Sequence, residues 1–149
     1  MSEVHAHPLR MVDRVLERGE DRCLVVKAVT ADEVLQDGRA IPGRPWPSAL
    51  VIEAMAQAAL PLAGPPASPA GPGVIVAMDG VRVHRQVRPG ERLRISSAVI
   101  TRFGGMIRIA CRAVSVDDGT EESVVAEGQF TLALGTLPGV DEASPGAGR

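Results

Sequence analysis

Aromatic side chains are nearly absent from this chain: Trp46, Phe103 and Phe130 are the only three, and there is no tyrosine. That removes the stacking platforms on which single-stranded nucleic acids are bound. Clustered basic residues are missing too, and a net charge of −2 gives no electrostatic footprint for a phosphate backbone. Lysine is reduced to one residue, Lys27, in a chain with 16 Lys and Arg together. Of the two cysteines, Cys23 and Cys111 stand far apart and form no CxxC spacing. A disulfide framework is therefore not expected, and free buried thiols in a cytoplasmic protein are the simpler reading. The opening MSEVHAHPLR has no apolar signal core. No apolar run reaches the roughly 20 residues that span a bilayer, so no membrane segment is expected. No metal-ligand spacing and no GxSxG occurs, so neither a metal, a cofactor nor a serine triad is expected.

What remains is a globular composition, 45% hydrophobic and 23% charged over 149 residues, enough for one domain with a sizeable core. MVDRVL (11–16) and RCLVVKAVT (22–30) read as two strands around a turn at Gly19-Glu20-Asp21. Residues 31–38 read as a polar connection. Residues 41–48, with three Pro and one Gly, read as an ordered loop. LAGPPASPAGPG (62–73) is low-complexity and reads as a surface loop. From Val74 the character turns to β, with runs VIVAMDG, VRVHRQV, RLRISSAVITRF, MIRIACRAVSV and SVVAEGQFTLALG. Turn signals separate them at Asp79-Gly80, Arg88-Pro89-Gly90, Gly104-Gly105 and Asp117-Asp118-Gly119. Alternation in RLRIS and MIRIACRAVSV predicts one wet and one dry sheet face. The expectation is two strands, one helix, then four or five antiparallel strands. Residues 1–135 make the domain and 136–149 a flexible tail.

The chain is organised around PGRPWPSALVIEAMAQAAL, residues 42–60. The predicted helix starts at Pro47 or Ser48, where Pro suits a first turn and Ser suits a cap. Pro61 should end or kink it. Between Ala49 and Leu60 the only polar side chains are Glu53 and Gln57. A helix apolar on every face is a buried helix, and a lone buried carboxylate is costly unless it is hydrogen-bonded or protonated. Gln57, at i+4, is placed to reach Glu53.

These residues resemble the FabZ/FabA-type 3-hydroxyacyl-ACP dehydratases, which have the hot-dog fold: an α+β architecture in which a curved antiparallel sheet wraps one long central helix. The family's Pro-His-Arg segment and Val-Asp-Arg-Val strand are met by His5-Ala6-His7-Pro8 and Val12-Asp13-Arg14-Val15. Its helix, Pro-Gly-x-Leu-Ile-x-Glu-Ala-Met-Ala-Gln, is met by Pro47-Ser48-Ala49-Leu50-Val51-Ile52-Glu53-Ala54-Met55-Ala56-Gln57. Its later basic segment is met by Val83-His84-Arg85-Gln86-Val87-Arg88-Pro89-Gly90-Glu91. The resemblance covers most of residues 5–134, and EAMAQ is its specific part.

The resemblance implies a site formed by a loop His and the helix carboxylate from opposite subunits of a dimer. The His removes the α-proton, the carboxylate helps the 3-hydroxyl leave, and amides at the helix start hold the thioester oxygen. On this chain that nominates Glu53, Gln57 and Ser48 as catalytic. Ala40, Ile41, Pro42, Gly43 and Trp46 become the substrate-binding loop, and Arg82, His84 and Arg85 a carrier-docking strip. The loop departs from the family's Gly-His-Phe-Pro-Gly. It reads Gly38-Arg39-Ala40-Ile41-Pro42-Gly43, so Ala40 or Arg39 stands where the His belongs, and neither can accept a proton. The implied partner is an acyl thioester on acyl carrier protein or CoA, in fatty acid or polyketide-like synthesis. The implied assembly is a homodimer, or a heterodimer with a His-bearing homologue. Three readings stay open: a working dehydratase, a degenerate subunit lending Glu53 to a partner, and a non-catalytic acyl-thioester binder. A hot-dog thioesterase is a fourth, since one carboxylate and a helix N-terminus suffice for it. Each residue also has a plainer role: Glu53 and Gln57 as a structural polar pair, Ser48 as a cap, Arg39 as a loop charge, Arg82, His84 and Arg85 as the wet face of a strand, Trp46 as packing.

Overall fold

Period-two alternation shapes most of the chain. In β6 (Arg92–Phe103) and β7 (Met106–Ser115), Leu93, Ile95, Ile107, Ile109 and Ala113 are buried while Arg94, Ser96, Ala110 and Arg112 take the opposite face. The computed structural model describes residues 10–36, 39–41, 43–64, 73–116 and 122–134. The remaining strands are β1 (Arg14–Arg18), β2 (Arg22–Ala28), the short pair β3 (Leu35–Gln36) and β4 (Arg39–Ala40), β5 (Val74–Val83) and β8 (Ser123–Ala133). The helix α1 spans Ser48–Ala59. Six strands form one antiparallel sheet in the order β1-β2-β6-β7-β8-β5. This is the hot-dog arrangement, with α1 lying against β2, β6, β7 and β8.

The core sits between helix and sheet. Val51, Ala54, Met55, Ala58 and Ala59 of α1 meet Val25, Leu93, Ile95, Ile109, Phe130 and Leu132. Alanines on the packed face let the helix axis approach the strands closely, so burial is dense without large side chains. The hairpin between β6 and β7 turns at Gly104 (φ 51°) and Gly105 (φ 74°), a pair that accepts the left-handed conformation of a tight two-residue turn.

Four expectations change. The first strand starts at Arg14 rather than Met11, because the Met11 amide is taken by the Gln57 side chain instead of the ladder. The Asp79-Gly80 signal is no turn: β5 runs through it, and the register shift between Asp79 and Arg82 shows a bulge that absorbs Gly80 at φ 59°. Ser48 does not cap the helix. Pro47 holds the N-cap position with φ −57° and ψ 135°, and Ser48 is already helical. The connection at 31–38 carries a 3-10 turn, Ala31–Val34, and the strand β3. Pro61 falls in a 3-10 turn, Leu60–Ala63, that ends the helix as expected. The tail, the 65–72 stretch and the Asp117-Gly119 turn lie outside the described residues.

Candidate active site

Glu53 lies on the second turn of α1, half-buried. Gln57 Nε2 donates to Glu53 Oε1 at 2.8 Å, the i,i+4 contact expected from the spacing. Gln57 is itself buried, and its Oε1 accepts the Met11 amide at 2.8 Å. The carboxamide is therefore used from both ends, so its orientation is determined: the oxygen faces the Met11 amide and the nitrogen the carboxylate.

One turn toward the N-terminus lie the first amides of α1. Pro47 O accepts from Leu50 N at 2.9 Å and Val51 N at 3.3 Å, while the first-turn dipole favours negative charge at this end. The exposed Ser48 is the first residue of that turn. Trp46, one residue ahead of the cap, is about 1% exposed and its amide donates to Val87 O at 2.7 Å. Its Nε1 is buried with no hydrogen-bond partner among the described residues. Ala40 ends β4, Ile41 is exposed and Gly43 has φ 75°. Pro42 lies outside the described residues.

The basic trio is distributed differently. Arg82 is exposed on β5 opposite Glu127. His84 Nε2 lies 3.1 Å from Glu127 Oε1. Arg85 is engaged within the fold, with Nη2 2.7 Å from Glu91 Oε2 and 2.9 Å from Ser123 Oγ. A hollow of about 470 Å³ next to Arg82 is lined by Asp79, Ser96, Arg112, Glu127 and Gln129. Glu53 and Trp46 are not among its walls. The geometry around α1 therefore locates the candidate site better than this hollow does.

Lys27 escaped the sequence reading as a functional residue. It is buried on β2, ion-paired with Glu33 and with Asp13 Oδ1 at 3.8 Å, and its Nζ lies 5.8 Å from the Trp46 ring centroid. The available signal was a sole lysine set in an apolar strand. Cys111 Sγ packs 3.7 Å from Met55 O of α1; burial pushes its thiol up to about 11, despite the Ser97 hydroxyl beside it, and raises Cys23 as well. Among the described residues no cluster of His, Cys, Asp and Glu could hold a metal ion, and no helix is long and apolar enough to cross a membrane.

No family model matches the chain. Relatives do. The 3-hydroxyacyl-[acyl-carrier-protein] dehydratase FabZ of Bacillus pumilus is 36% identical over 134 residues, covering 88% of this chain and 89% of that protein. The FabZ of Syntrophobacter fumaroxidans is 32% identical over 142 residues, covering 93% and 92%. Among solved structures, the dehydratase heterocomplex ApeI:P from Xenorhabdus doucetiae superposes with a TM-score of 0.70 at 18% identity, covering 89% of this chain and 87% of that one. The Escherichia coli PaaI protein superposes at 0.64 with 14% identity, covering 83% and 80%; these two likenesses speak for the fold. With identity above 30% along nearly the whole length, and with the EAMAQ helix carrying its carboxylate against Gln57, the chain belongs to the FabZ 3-hydroxyacyl-[acyl-carrier-protein] dehydratase family.

Proposed function

We propose that the chain works on 3-hydroxyacyl thioesters as a dehydratase-type subunit whose own contribution is Glu53. The observation that carries this reading is Glu53 hydrogen-bonded to Gln57 on the helix of a FabZ family member. Dehydration needs an acid to protonate the departing 3-hydroxyl, a base for the α-proton, and donors for the enolate oxygen. Glu53 takes the first role. The amides of Ser48 and Ala49 at the start of α1 take the third, helped by the dipole, since those of Leu50 and Val51 are held by Pro47 O. Gln57 orients Glu53. The base is supplied by a second chain, because Arg39 and Ala40 occupy the loop position and neither accepts a proton. Ile41 and Gly43 border the acyl site, with Trp46 packed beneath them, and Arg82 and His84 face an acidic carrier. The second chain packs along β5, whose outer edge has no neighbour among the described strands.

The test is hydration of a crotonyl thioester, the reverse reaction, by the protein alone, by Glu53→Gln, and by each mixed with a His-bearing FabZ homologue whose own helix carboxylate is replaced by the amide, so that the homologue alone is inactive. Turnover only in the mixture, lost with Glu53→Gln, supports the shared site. Turnover by the protein alone that needs Glu53 means a complete enzyme with a different base. Release of free thiol without hydration identifies a thioesterase, and binding without either reaction identifies a carrier or acyl-thioester binder.

A further inference from the structure

Lys27 joins three segments that are separate in sequence. It lies on β2 among Val25 and Val29, which are 0% and 2% exposed, and is itself only 3% exposed. A lysine ammonium is seldom buried this far unless it is paired. Here it is paired twice, with Glu33 and with Asp13, and it also lies within cation–π range of the Trp46 ring at 5.8 Å. Both carboxylates are held in turn by backbone: Glu33 Oε2 accepts from Thr30 N at 3.0 Å, and Asp13 Oδ2 from Ala28 N.

Each partner leads to the candidate site by a different route. Glu33 lies in the 3-10 turn before β3, and β4 then runs into the loop at Ile41. Asp13 follows two residues after Met11, whose amide binds Gln57, which binds Glu53. Trp46 adjoins Pro47, the N-cap of α1. One buried cation therefore touches the segment that orients the carboxylate, the turn that precedes the loop, and the residue just before the N-cap of the helix.

We infer that Lys27 is a positioning residue: it holds Trp46 and the segments of Asp13 and Glu33 in the arrangement that points Glu53 and the N-terminus of α1 at one substrate. The inference rests on the proposed roles of Glu53 and of those amides. Methionine matches the stem of lysine but leaves two carboxylates without their buried counter-ion. Arginine keeps the charge in a different shape.

Trp46 is the only tryptophan, so fluorescence reports this spot without a label. Acrylamide quenching of wild type, Lys27→Met and Lys27→Arg is measured beside far-UV circular dichroism, below the unfolding temperature of each. Lys27→Met is expected to keep its secondary structure while Trp46 becomes several-fold more accessible to the quencher, and Lys27→Arg to restore most of the protection. In whichever mixture hydrates crotonyl thioester, Lys27→Met is expected to lower kcat several-fold with little change in KM. A folded Lys27→Met with wild-type quenching, or with wild-type kcat in an active mixture, overturns the inference. If Lys27→Met does not fold, Glu33→Gln decides: it leaves the Asp13 pair in place, and greater quenching supports the inference while unchanged quenching overturns it. The fluorescence needs no turnover. A wild-type protein that hydrates nothing, alone or in the mixture, thus overturns the functional reading alone, and Trp46 still decides the role of Lys27.

Discussion

Arg85 and Glu91 show how one residue can be recruited by the fold when the sequence suggests a surface role. Glu91 Oε2 receives Arg85 Nη2 at 2.7 Å and the Ser115 hydroxyl at 2.8 Å, and Oε1 receives the Arg88 amide at 2.8 Å. Burial pushes the carboxyl up, but these hydrogen bonds and the guanidinium together outweigh it, holding Glu91 below the usual carboxylate range. A depressed folded-state value means that the unfolded chain binds the proton first. The clasp therefore stabilises the protein above the ordinary carboxylate range, and that contribution is lost as pH falls through the lowered value of Glu91. The urea midpoint of wild type should exceed that of Glu91→Gln near neutrality, with the gap narrowing as pH falls through and below the ordinary carboxylate range. A gap that stays constant over that range would remove the ionised clasp as its cause.

Among the elements, β5 and β8 depend on a single glycine. A Cβ built on Gly128 would lie 2.7 Å from Val81 Cγ2 and 2.9 Å from Val81 Cα. Val81 sits in the bulge between Asp79 and Arg82, so the bulge presses one strand onto its neighbour. Gly128→Ala is expected to cost about 1–3 kcal/mol, as overpacking does, measured by chemical denaturation. Adding Val81→Ala should recover only part of the loss, because the backbone at position 81 stays just as near. Full recovery would mean that the side chain alone sets the distance. At the helix, α1 is short and rich in alanine, and its lasting stability comes from the packed face rather than from a cap, since Pro47 makes no side-chain cap bond.

For the whole molecule, β5 is one of the two edges of the sheet and carries exposed apolar residues: Val74 at 42%, Val76 at 46% and Met78 at 56%. Met78 pairs with the buried Phe130, so it takes the inner-face register yet is left uncovered by α1. A ten-residue edge with such side chains invites a second chain. Light scattering should give at least a dimer for this protein, alone or with its His-bearing partner, and Met78→Glu should shift the mass toward the monomer. A monomeric wild type in both conditions would remove the proposed pairing along β5.

The alternation of apolar residues, the helix of alanine and leucine between Pro47 and Pro61, and the glycine pair at 104–105 carried the architecture in the sequence itself, because each acts through neighbours two to four positions away. The Glu53–Gln57 contact was legible for the same reason: i and i+4 lie on one helix face whatever surrounds them. The bulge at Gly80 was not, since an Asp-Gly pair signals a turn until a partner strand keeps the chain extended on both sides of it. Nor was the Met11 amide on Gln57, the clasp of Arg85 on Glu91, or the burial of Lys27 between Asp13, Glu33 and Trp46. Those contacts join residues from separate strands and turns, and Lys27 reads from sequence as one more charge. Its burial follows only once β2 lies with that face against the interior, and the site around α1 is held by contacts of this long-range kind.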